Sequence, residues 1–356
     1  MTQGQILLDI PPAPGNPRNS EGAFLALRDG SLLFAYSRFR GESDADHAGA
    51  DIVGIRSRDG GESWSAPETL LSAQALGAMN VMSLSLLRLE NGDLGLIYLN
   101  RKSWQDMRPE LRRSADEGIA WSAPVCCAAR PGYFVINNDR AVRLSSGRIL
   151  LPAAEHTMTV EQGELRRFGP AIGRAFYSDD DGRTWQEGDL PFALPGERSW
   201  GGMQEPGVIE LPGRLIYCWG RTVLGRQYEC FSRNGGQGFS APAPSCFTSP
   251  LSPLSMKRLS DGRLLAVWNP VPEYQTRVSY PRTGGRTPLV YAVSEDAGVS
   301  WGDPVILEDD PHAGFCYTAI YETNGFIYLG YCAGNTDTDG ACLNKTRLRR
   351  LRLAEL

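Results

Sequence analysis

A glutamate, a tyrosine and an arginine stand at matching distances from glycine-centred turns. Glu205 and Tyr317 each precede a turn glycine by eight residues, and Arg221 follows the glycine after Glu205 by eight. A free tyrosine has a pKa of about 10, so a tyrosine that attacks a substrate needs a base to take its proton. A nearby carboxylate can be that base. These residue types therefore suit nucleophilic or proton-transfer chemistry, if the fold brings them together.

The elements that carry these residues repeat along the chain. An apolar stretch, a glycine-centred turn and a second apolar stretch recur around Gly30, Gly92, Gly147, Gly213, Gly262 and Gly325. This pattern is the strongest short-range signal for a β-hairpin. Residues equally far before and after the turn meet at the open end of a hairpin. A site where the hairpins converge would therefore collect residues about eight positions from each glycine.

A second repeat alternates with the hairpins. The pattern Ser-x-Asp-x-Gly-x-x-Trp begins at residues 57, 114, 178 and 294, and a variant with Asn234 and Phe239 begins at residue 232. Asp and Ser side chains accept backbone N–H bonds in tight turns, and glycine takes a φ that other residues avoid. We therefore predict that these motifs connect strands and do no chemistry.

Together the two repeats define a unit of four strands. Six units predict an all-β fold, a six-bladed β-propeller of four-stranded antiparallel blades, because radial packing buries both faces of each sheet. The last unit lacks one strand. We expect residues 5–10 to supply it by pairing with the C-terminal strand, which would close the ring. The prediction is a single propeller domain over residues 1–356.

Composition excludes several classes of protein. The net charge is −5 without a basic stripe, which argues against a nucleic-acid partner. No apolar stretch reaches the length of about 18 residues expected of a membrane helix, and the N-terminus lacks the pattern of a signal peptide. We therefore expect no membrane partner and a cytoplasmic location. The eight cysteines show no zinc-type spacing and are predicted to be reduced thiols, and we expect no metal and no cofactor.

Three segments resemble the sialidase superfamily: QEPGVIELPGRLIYCWGR (204–221), GRTPLVYAVSEDAGVSW (285–301) and FCYTAIYETNGFIYLGY (315–331). The resemblance implies a six-bladed propeller and a tyrosine nucleophile, Tyr317, with Glu205 as its partner. It also implies an arginine cluster that holds a substrate carboxylate, with Arg221 and Arg286 as members. The family's Arg-Ile-Pro run before the first turn is replaced here by PRNSEGAFLALRDG (17–30), in which Arg18 is the best candidate for the third arginine.

The resemblance places an acid/base aspartate in the loop RGESDADHAGADI (40–52), where we favour Asp46 over Asp44. Other polar residues stand near the open ends of the hairpins. Those predicted to contact the ligand are Arg38, Asn138, Asp139, Arg140 and Gln204. A simpler interpretation is that such residues form ion pairs that fill the channel between the sheets, since buried charges must be paired. Both interpretations stay open from sequence alone.

The predicted function is a retaining exo-glycosidase that releases a terminal sialic or related acidic sugar from a small-molecule or glycan substrate. Two alternatives use the same residues. The site could belong to a lyase or isomerase of acidic sugars, because Glu205 and Tyr317 also suit proton abstraction. It could instead belong to a carbohydrate-binding propeller without catalysis, because a fold of this kind hosts many functions.

Overall fold

The computed structural model describes residues 4–161, 164–189, 191–194, 199–272 and 283–356. These residues form β-strands with two short 3-10 helices, Pro212–Arg214 and Leu353–Glu355. In chain order the strands are β1 (Gln5–Ile10), β2 (Asn19–Ala26), β3 (Leu32–Phe39), β4 (Ala50–Ser57), β5 (Glu68–Leu71), β6 (Asn80–Arg88), β7 (Leu94–Arg101), β8 (Met107–Ser114), β9 (Val125–Cys126), β10 (Tyr133–Val135), β11 (Val142–Arg143), β12 (Ile149–Glu161), β13 (Glu164–Ser178), β14 (Gln186–Glu187), β15 (Gln204–Glu210), β16 (Ile216–Arg221), β17 (Arg226–Ser232), β18 (Ala243–Thr248), β19 (Ser255–Arg258), β20 (Leu264–Trp268), β21 (Leu289–Ser294), β22 (Val305–Glu308), β23 (Ala313–Thr323), β24 (Phe326–Asn335) and β25 (Thr346–Arg352). The all-β prediction is confirmed.

Four of the sheets have four antiparallel strands each. Their orders are β2-β3-β4-β5, β15-β16-β17-β18, β19-β20-β21-β22 and β1-β25-β24-β23. The last order shows that residues 5–10 pair with the C-terminal strand, as predicted. Asp9 on β1 lies opposite Arg347 on β25, and their side chains form an ion pair with an Nε–Oδ1 distance of 2.8 Å.

The second and third predicted units are not separate sheets. They are joined in one nine-stranded sheet, because β10 pairs antiparallel with β12 and parallel with β8. The sheet topology therefore does not separate the second and third predicted blades from each other. Strand β10, which joins the two units, is apolar. Its Phe134 side chain is fully buried and packs edge-to-face against Phe176 on β13. Burial of these two rings explains why the connecting segment lies along the sheet.

The repeated Ser-x-Asp-x-Gly turns are held by local hydrogen bonds. In the first of them the Ser57 hydroxyl accepts the Gly61 N–H at 2.7 Å, and the Asp59 carboxylate accepts the Ser63 N–H at 2.9 Å. Hydrogen bonds from Ser63 lower the pKa of Asp59 to about 2. The aspartate is thus occupied as a turn-forming acceptor, which agrees with a structural role.

Four of the strands that precede a glycine-centred turn carry a β-bulge. In β2, β6, β15 and β23 the register shifts where a non-glycine residue has a left-handed φ: Glu21 at 57°, Ser83 at 52°, Glu205 at 45° and Tyr317 at 58°. Asp139, just before β11, has a φ of 56°. A bulge bends the strand and turns one side chain out of the regular alternation. Such strained conformations are often found at functional sites.

Strands of different sheets contact one another. β2 contacts both β6 and β23, β15 contacts β12 and β19, and β19 contacts β23. The Asn138 amide, from the segment between β10 and β11, donates to the Gly22 carbonyl at 2.6 Å and to the Tyr317 carbonyl at 3.0 Å. The Asn138 side chain therefore links the bulges of β2 and β23.

All eight cysteines are free thiols. Within the described ranges, no helix has the length and apolar character needed to cross a bilayer.

Candidate active site

A cavity of about 450 Å³ opens where the bulged strands meet. One part of its wall is polar and the other is apolar and aromatic. Its lining residues are Glu21, Asp46, His47, Met82, Ser83, Leu99, Arg101, Trp104, Met107, Tyr133, Val135, His156, Leu165, Phe168, Trp200, Gln204, Glu205, Arg221, Leu251 and Tyr317. Its volume is within the range of small-molecule sites.

Three of the predicted residues meet in the polar part. The Tyr317 hydroxyl donates to Glu205 Oε1 at 3.2 Å. Arg221 Nε lies 3.2 Å from Glu205 Oε2, and Arg221 Nη1 lies 3.5 Å from the Tyr317 oxygen. Gln204 also lines the cavity and accepts from Arg221 Nε at 3.2 Å. The sheet pairing explains this contact, since Gln204 and Arg221 are opposite each other on β15 and β16.

The Tyr317 phenol is held in its neutral form. Burial raises its pKa well above the ordinary value of 10.0, and the neighbouring Glu205 carboxylate raises it further, while Arg221 and Arg286 oppose both. A neutral phenol is a weak nucleophile. Any attack by Tyr317 therefore requires that a base take its proton, and Glu205 is in hydrogen-bond contact with it.

Arg286 contacts the opposite side of the same tyrosine. Its guanidinium carbon lies 5.4 Å from the centre of the Tyr317 ring, and its Nη1 donates to the Cys316 sulfur at 3.3 Å. The pKa of the Cys316 thiol is raised to about 12, chiefly by burial, so this cysteine is not a thiolate at neutral pH. Arg286 is thus close to Tyr317, although it does not line the cavity itself.

Arg18 lies behind the cavity wall rather than in it. This buried guanidinium donates to Asp46 Oδ1 at 2.6 Å and to Glu21 Oε2 at 2.9 Å. Its Nε donates to the Ser20 hydroxyl at 2.9 Å. Arg18 is therefore engaged by two carboxylates of the protein, so the geometry does not support the prediction that it clamps a substrate carboxylate directly.

Asp46 is at the cavity mouth. Its side chain is 68 % exposed, although one oxygen contacts Arg18. Partial burial would raise the pKa of Asp46, but the Arg18 guanidinium outweighs it and holds the pKa below the ordinary value of 3.8. Asp44, the second candidate, does not line the cavity and accepts from the Asn344 amide at 3.1 Å. Of the two aspartates, the geometry favours Asp46.

Four other predicted ligand contacts are absent from the cavity wall. Arg38 is on β3 beside the sheet partner Asp51, and Asn138 ties β2 to β23. Asp139 accepts the Ile320 N–H at 3.0 Å. The Arg140 guanidinium is buried and donates to the Leu254 carbonyl at 2.7 Å, and burial lowers its pKa to about 10. The last three thus make hydrogen bonds to backbone groups of other segments instead of lining the cavity.

Glu21 is a cavity residue that the sequence prediction missed. It is buried, and its Oε1 accepts from the Ser83 hydroxyl at 2.9 Å. Burial raises the pKa of Glu21, and the Glu205 and Asp46 carboxylates add to the effect, while Arg18 opposes it. Counting eight residues back from Gly30 selects Gly22 and misses Glu21. Glu21 precedes its turn glycine by nine residues, whereas Glu205 and Tyr317 precede theirs by eight.

The sequence prediction also missed the apolar side chains of the wall. His156 on β12 stacks against Phe168 on β13 with a ring distance of 4.1 Å, and its Nδ1 lies 2.9 Å from the Gly169 carbonyl oxygen. Trp200, at the mouth, is 71 % exposed. The β12–β13 hairpin, whose strands have 13 and 15 residues, carries part of this wall, namely His156, Leu165 and Phe168. No periodic pattern in the sequence signals the length of these strands.

His156 should make the protein less stable in mild acid. Burial lowers its pKa to about 4 from 6.5, so the folded state keeps the ring neutral while the unfolded chain takes up a proton below about pH 6.5. Stability is therefore lost as the pH falls from about 6.5 to about 4. Between about pH 7.5 and pH 5 this effect is worth about 2 kcal/mol.

Urea unfolding at the two pH values measures the effect. His156→Gln should lose about 2 kcal/mol less than the wild type over this interval. His312→Gln is the matched control, because His312 is 43 % exposed and does not line the cavity; this variant should still lose the roughly 2 kcal/mol that His156 contributes. Equal pH dependence in His156→Gln and the wild type would show that the buried ring does not titrate in this way.

In the part of the chain that the structure describes, no three His, Cys, Asp or Glu side chains are grouped so that they could hold a metal ion. The cavity wall instead offers hydrogen-bond donors, carboxylates and aromatic faces. Such a wall suits a ligand that has polar substituents on a ring with an apolar face, as a sugar has.

A family model described as BNR repeat-like domain matches residues 45–329. Human Sialidase-4 is 36 % identical over 110 residues, which is 30 % of this chain and 22 % of that protein. Mouse Sialidase-4 is 33 % identical over 139 residues, or 35 % of this chain and 27 % of the relative. The matched segments thus span about a quarter of these curated relatives.

Solved structures are similar over nearly the whole chain. A protein of unknown function from Dyadobacter fermentans has a TM-score of 0.72 at 17 % identity, with 98 % of this chain and 99 % of that chain covered. The leech intramolecular trans-sialidase has a TM-score of 0.73 at 13 % identity, with coverage of 100 % and 71 %. The Ruminococcus gnavus intramolecular trans-sialidase has a TM-score of 0.71 at 14 % identity, with coverage of 100 % and 99 %. Identities this low show a shared fold alone.

Proposed function

The chain belongs to the sialidase superfamily through its BNR repeat-like domain, and from this premise we propose that it is a retaining exo-glycosidase. Its substrate would be a small molecule or glycan that ends in a sialic or related acidic sugar. The observation that carries the proposal is the contact between the Tyr317 hydroxyl and Glu205 Oε1 at 3.2 Å, inside a cavity that Arg221 also lines.

We also propose the fold that this function needs. The contacts among β2, β6, β12, β15, β19 and β23 support six hairpin units arranged around one axis as a closed propeller. The nine-stranded sheet would then be two blades linked by β10. Under this proposal residues 1–356 form one domain, and the bulged strands are the innermost strands of their blades.

The chemistry follows from the charge of the substrate. A sugar whose anomeric carbon bears a carboxylate would repel a carboxylate nucleophile, whereas a phenol avoids the repulsion. Tyr317 would attack that carbon while its proton passes to Glu205. Arg221 and Arg286 would bind the substrate carboxylate, since both guanidinium groups lie beside Tyr317.

Asp46 would complete both steps. It would protonate the leaving oxygen in the first step and take a proton from the attacking water in the second, so that two displacements retain the configuration. Its exposed position at the mouth suits contact with the leaving group. To act as an acid, Asp46 must first gain a proton, and bound substrate that weakens its ion pair with Arg18 would raise its pKa toward that state.

A screen of aryl glycosides tests the proposal. Wild-type protein should hydrolyse at least one glycoside of a sialic or uronic acid, and NMR during the reaction should show the retained anomer first. An unsaturated product absorbing in the near ultraviolet would instead indicate a lyase. Binding of an acidic sugar without turnover would indicate a carbohydrate-binding protein. Either of these results would refute the glycosidase proposal.

A further inference from the structure

Arg101 is a buried cation in the cavity wall that the proposed mechanism does not use. It ends β7, is only 3 % exposed, and lines the cavity. Its guanidinium carbon lies 5.9 Å from the centre of the Trp104 ring and 5.5 Å from that of the Tyr133 ring. A side-chain hydrogen bond also links Arg101 to Tyr133. A guanidinium has five N–H groups, so others remain for a ligand.

No carboxylate of the described residues forms a direct ion pair with Arg101. The Asp46 carboxylate is near enough for Arg101 to help lower its pKa, but its direct ion pair is with Arg18. Arg101 Nη1 donates to the Asp46 carbonyl, and Arg101 Nε contacts the Met107 sulfur at 3.4 Å. Arg221, which also lines the cavity, is paired with Glu205, and Arg18, behind the wall, is paired with Asp46 and Glu21. A buried charge without a direct ion-pair partner is costly, and a ligand of opposite charge would offset that cost.

The position of Arg101 indicates which part of a ligand it would meet. Arg221, Glu205 and Tyr317 come from β16, β15 and β23, whereas Arg101 comes from β7 and contacts the loop of Asp46. If Tyr317 faces the reacting carbon and Asp46 the leaving oxygen, then Arg101 is on the leaving-group side. The Trp104 ring, 5.1 Å from that of His47, extends this side toward the mouth.

We propose that Arg101 binds an anionic substituent on the leaving part of the substrate. This inference rests on the proposed function and narrows its substrate class to glycans in which the residue next to the released sugar is itself negatively charged. A carboxylate or a sulfate ester offers the same chemistry to a guanidinium, which can donate two parallel hydrogen bonds to either.

Paired substrates test the proposal. The same acidic sugar is offered on a leaving group with a neutral hexose, with a uronic acid, or with a sulfated hexose, and kcat/KM is measured for each. Wild type should prefer at least one charged leaving group by about 10- to 100-fold, the usual range for a hydrogen bond to a charged group. Arg101→Gln should abolish this preference, and Arg101→Lys should retain part of it.

Lys102→Gln is the matched control. It removes the same charge from the next residue, but Lys102 is 45 % exposed and outside the cavity wall, so the preference should persist. A preference unchanged in Arg101→Gln, or an equal loss on all three substrates, would overturn the proposal, since an equal loss means that Arg101 only supports the Asp46 loop. Circular dichroism confirms that each variant is folded.

A binding assay separates this inference from the proposed glycosidase activity. If wild type hydrolyses none of the substrates, calorimetry with the uronic-acid, sulfated and neutral disaccharides still measures the role of Arg101. Tighter binding of a charged disaccharide by wild type, lost in Arg101→Gln, would support the anion site. Equal binding of all three by wild type would overturn it.

Discussion

Tyr317→Phe should lower kcat by at least about 10²–10⁴-fold while leaving KM within a few-fold of wild type. The substitution removes only the hydroxyl that contacts Glu205 at 3.2 Å and Arg221 at 3.5 Å. The ring that stacks on Arg286 remains, so substrate binding should change little. Initial rates on the best aryl glycoside from the screen measure both constants.

Tyr331→Phe is the matched control for Tyr317→Phe. Tyr331 is a buried tyrosine on the neighbouring strand β24, and its hydroxyl donates to Glu308 at 2.7 Å, away from the cavity. Losing this hydroxyl should reduce stability by about 1–3 kcal/mol without affecting kcat. If Tyr317→Phe retained the wild-type kcat, Tyr317 would not be the nucleophile, and Glu205 would need another role.

Arg18→Met should reduce the free energy of unfolding by about 3–5 kcal/mol, because it leaves the buried Glu21 carboxylate without its cation. Urea unfolding near pH 7.5 measures the loss. The loss should be smaller near pH 5, since burial already raises the pKa of Glu21 and removal of Arg18 allows it to rise further, so that protonation relieves the uncompensated charge.

The double variant Arg18→Met/Glu21→Gln tests the cause of that loss. It removes both buried charges together and should recover part of the stability, as is common when a buried ion pair is replaced as a unit. One result for the single variant would contradict this account. If Arg18→Met were nearly as stable as wild type but raised KM at least about tenfold, Arg18 would bind the substrate carboxylate directly.

Several site residues could be predicted because their positions depend on local pairing. Gln204 and Arg221 are opposite each other on one hairpin, and the distance from its turn glycine determines that contact. Tyr317 stands at the same distance from its own glycine as Glu205 does. Where a bulge is displaced by one residue, as at Glu21, the same count selects the wrong neighbour.

The role of Arg18 could not be predicted in the same way. Its contacts with Glu21 and Ser20 are local in sequence. Its contact with Asp46 depends on how the loop after β3 folds back toward the start of β2. The aromatic wall of the cavity could not be predicted either, because Trp104, Phe168 and Trp200 come from distant segments of the chain. Nothing in the spacing of such residues indicates that they will share one surface.

The amino-acid sequence by itself determined the hairpins, the repeated turns and the pairing of residues 5–10 with the C-terminal strand, because short-range hydrogen bonding and alternating apolar residues specify them. Only the tertiary structure decided which side chains face the cavity, which guanidinium groups are directly paired with carboxylates, and that Arg101 has no such direct pair among the described residues. The physical reason is that these properties depend on strand bulges and on contacts between sheets that are far apart in the chain, and on the burial that those contacts create.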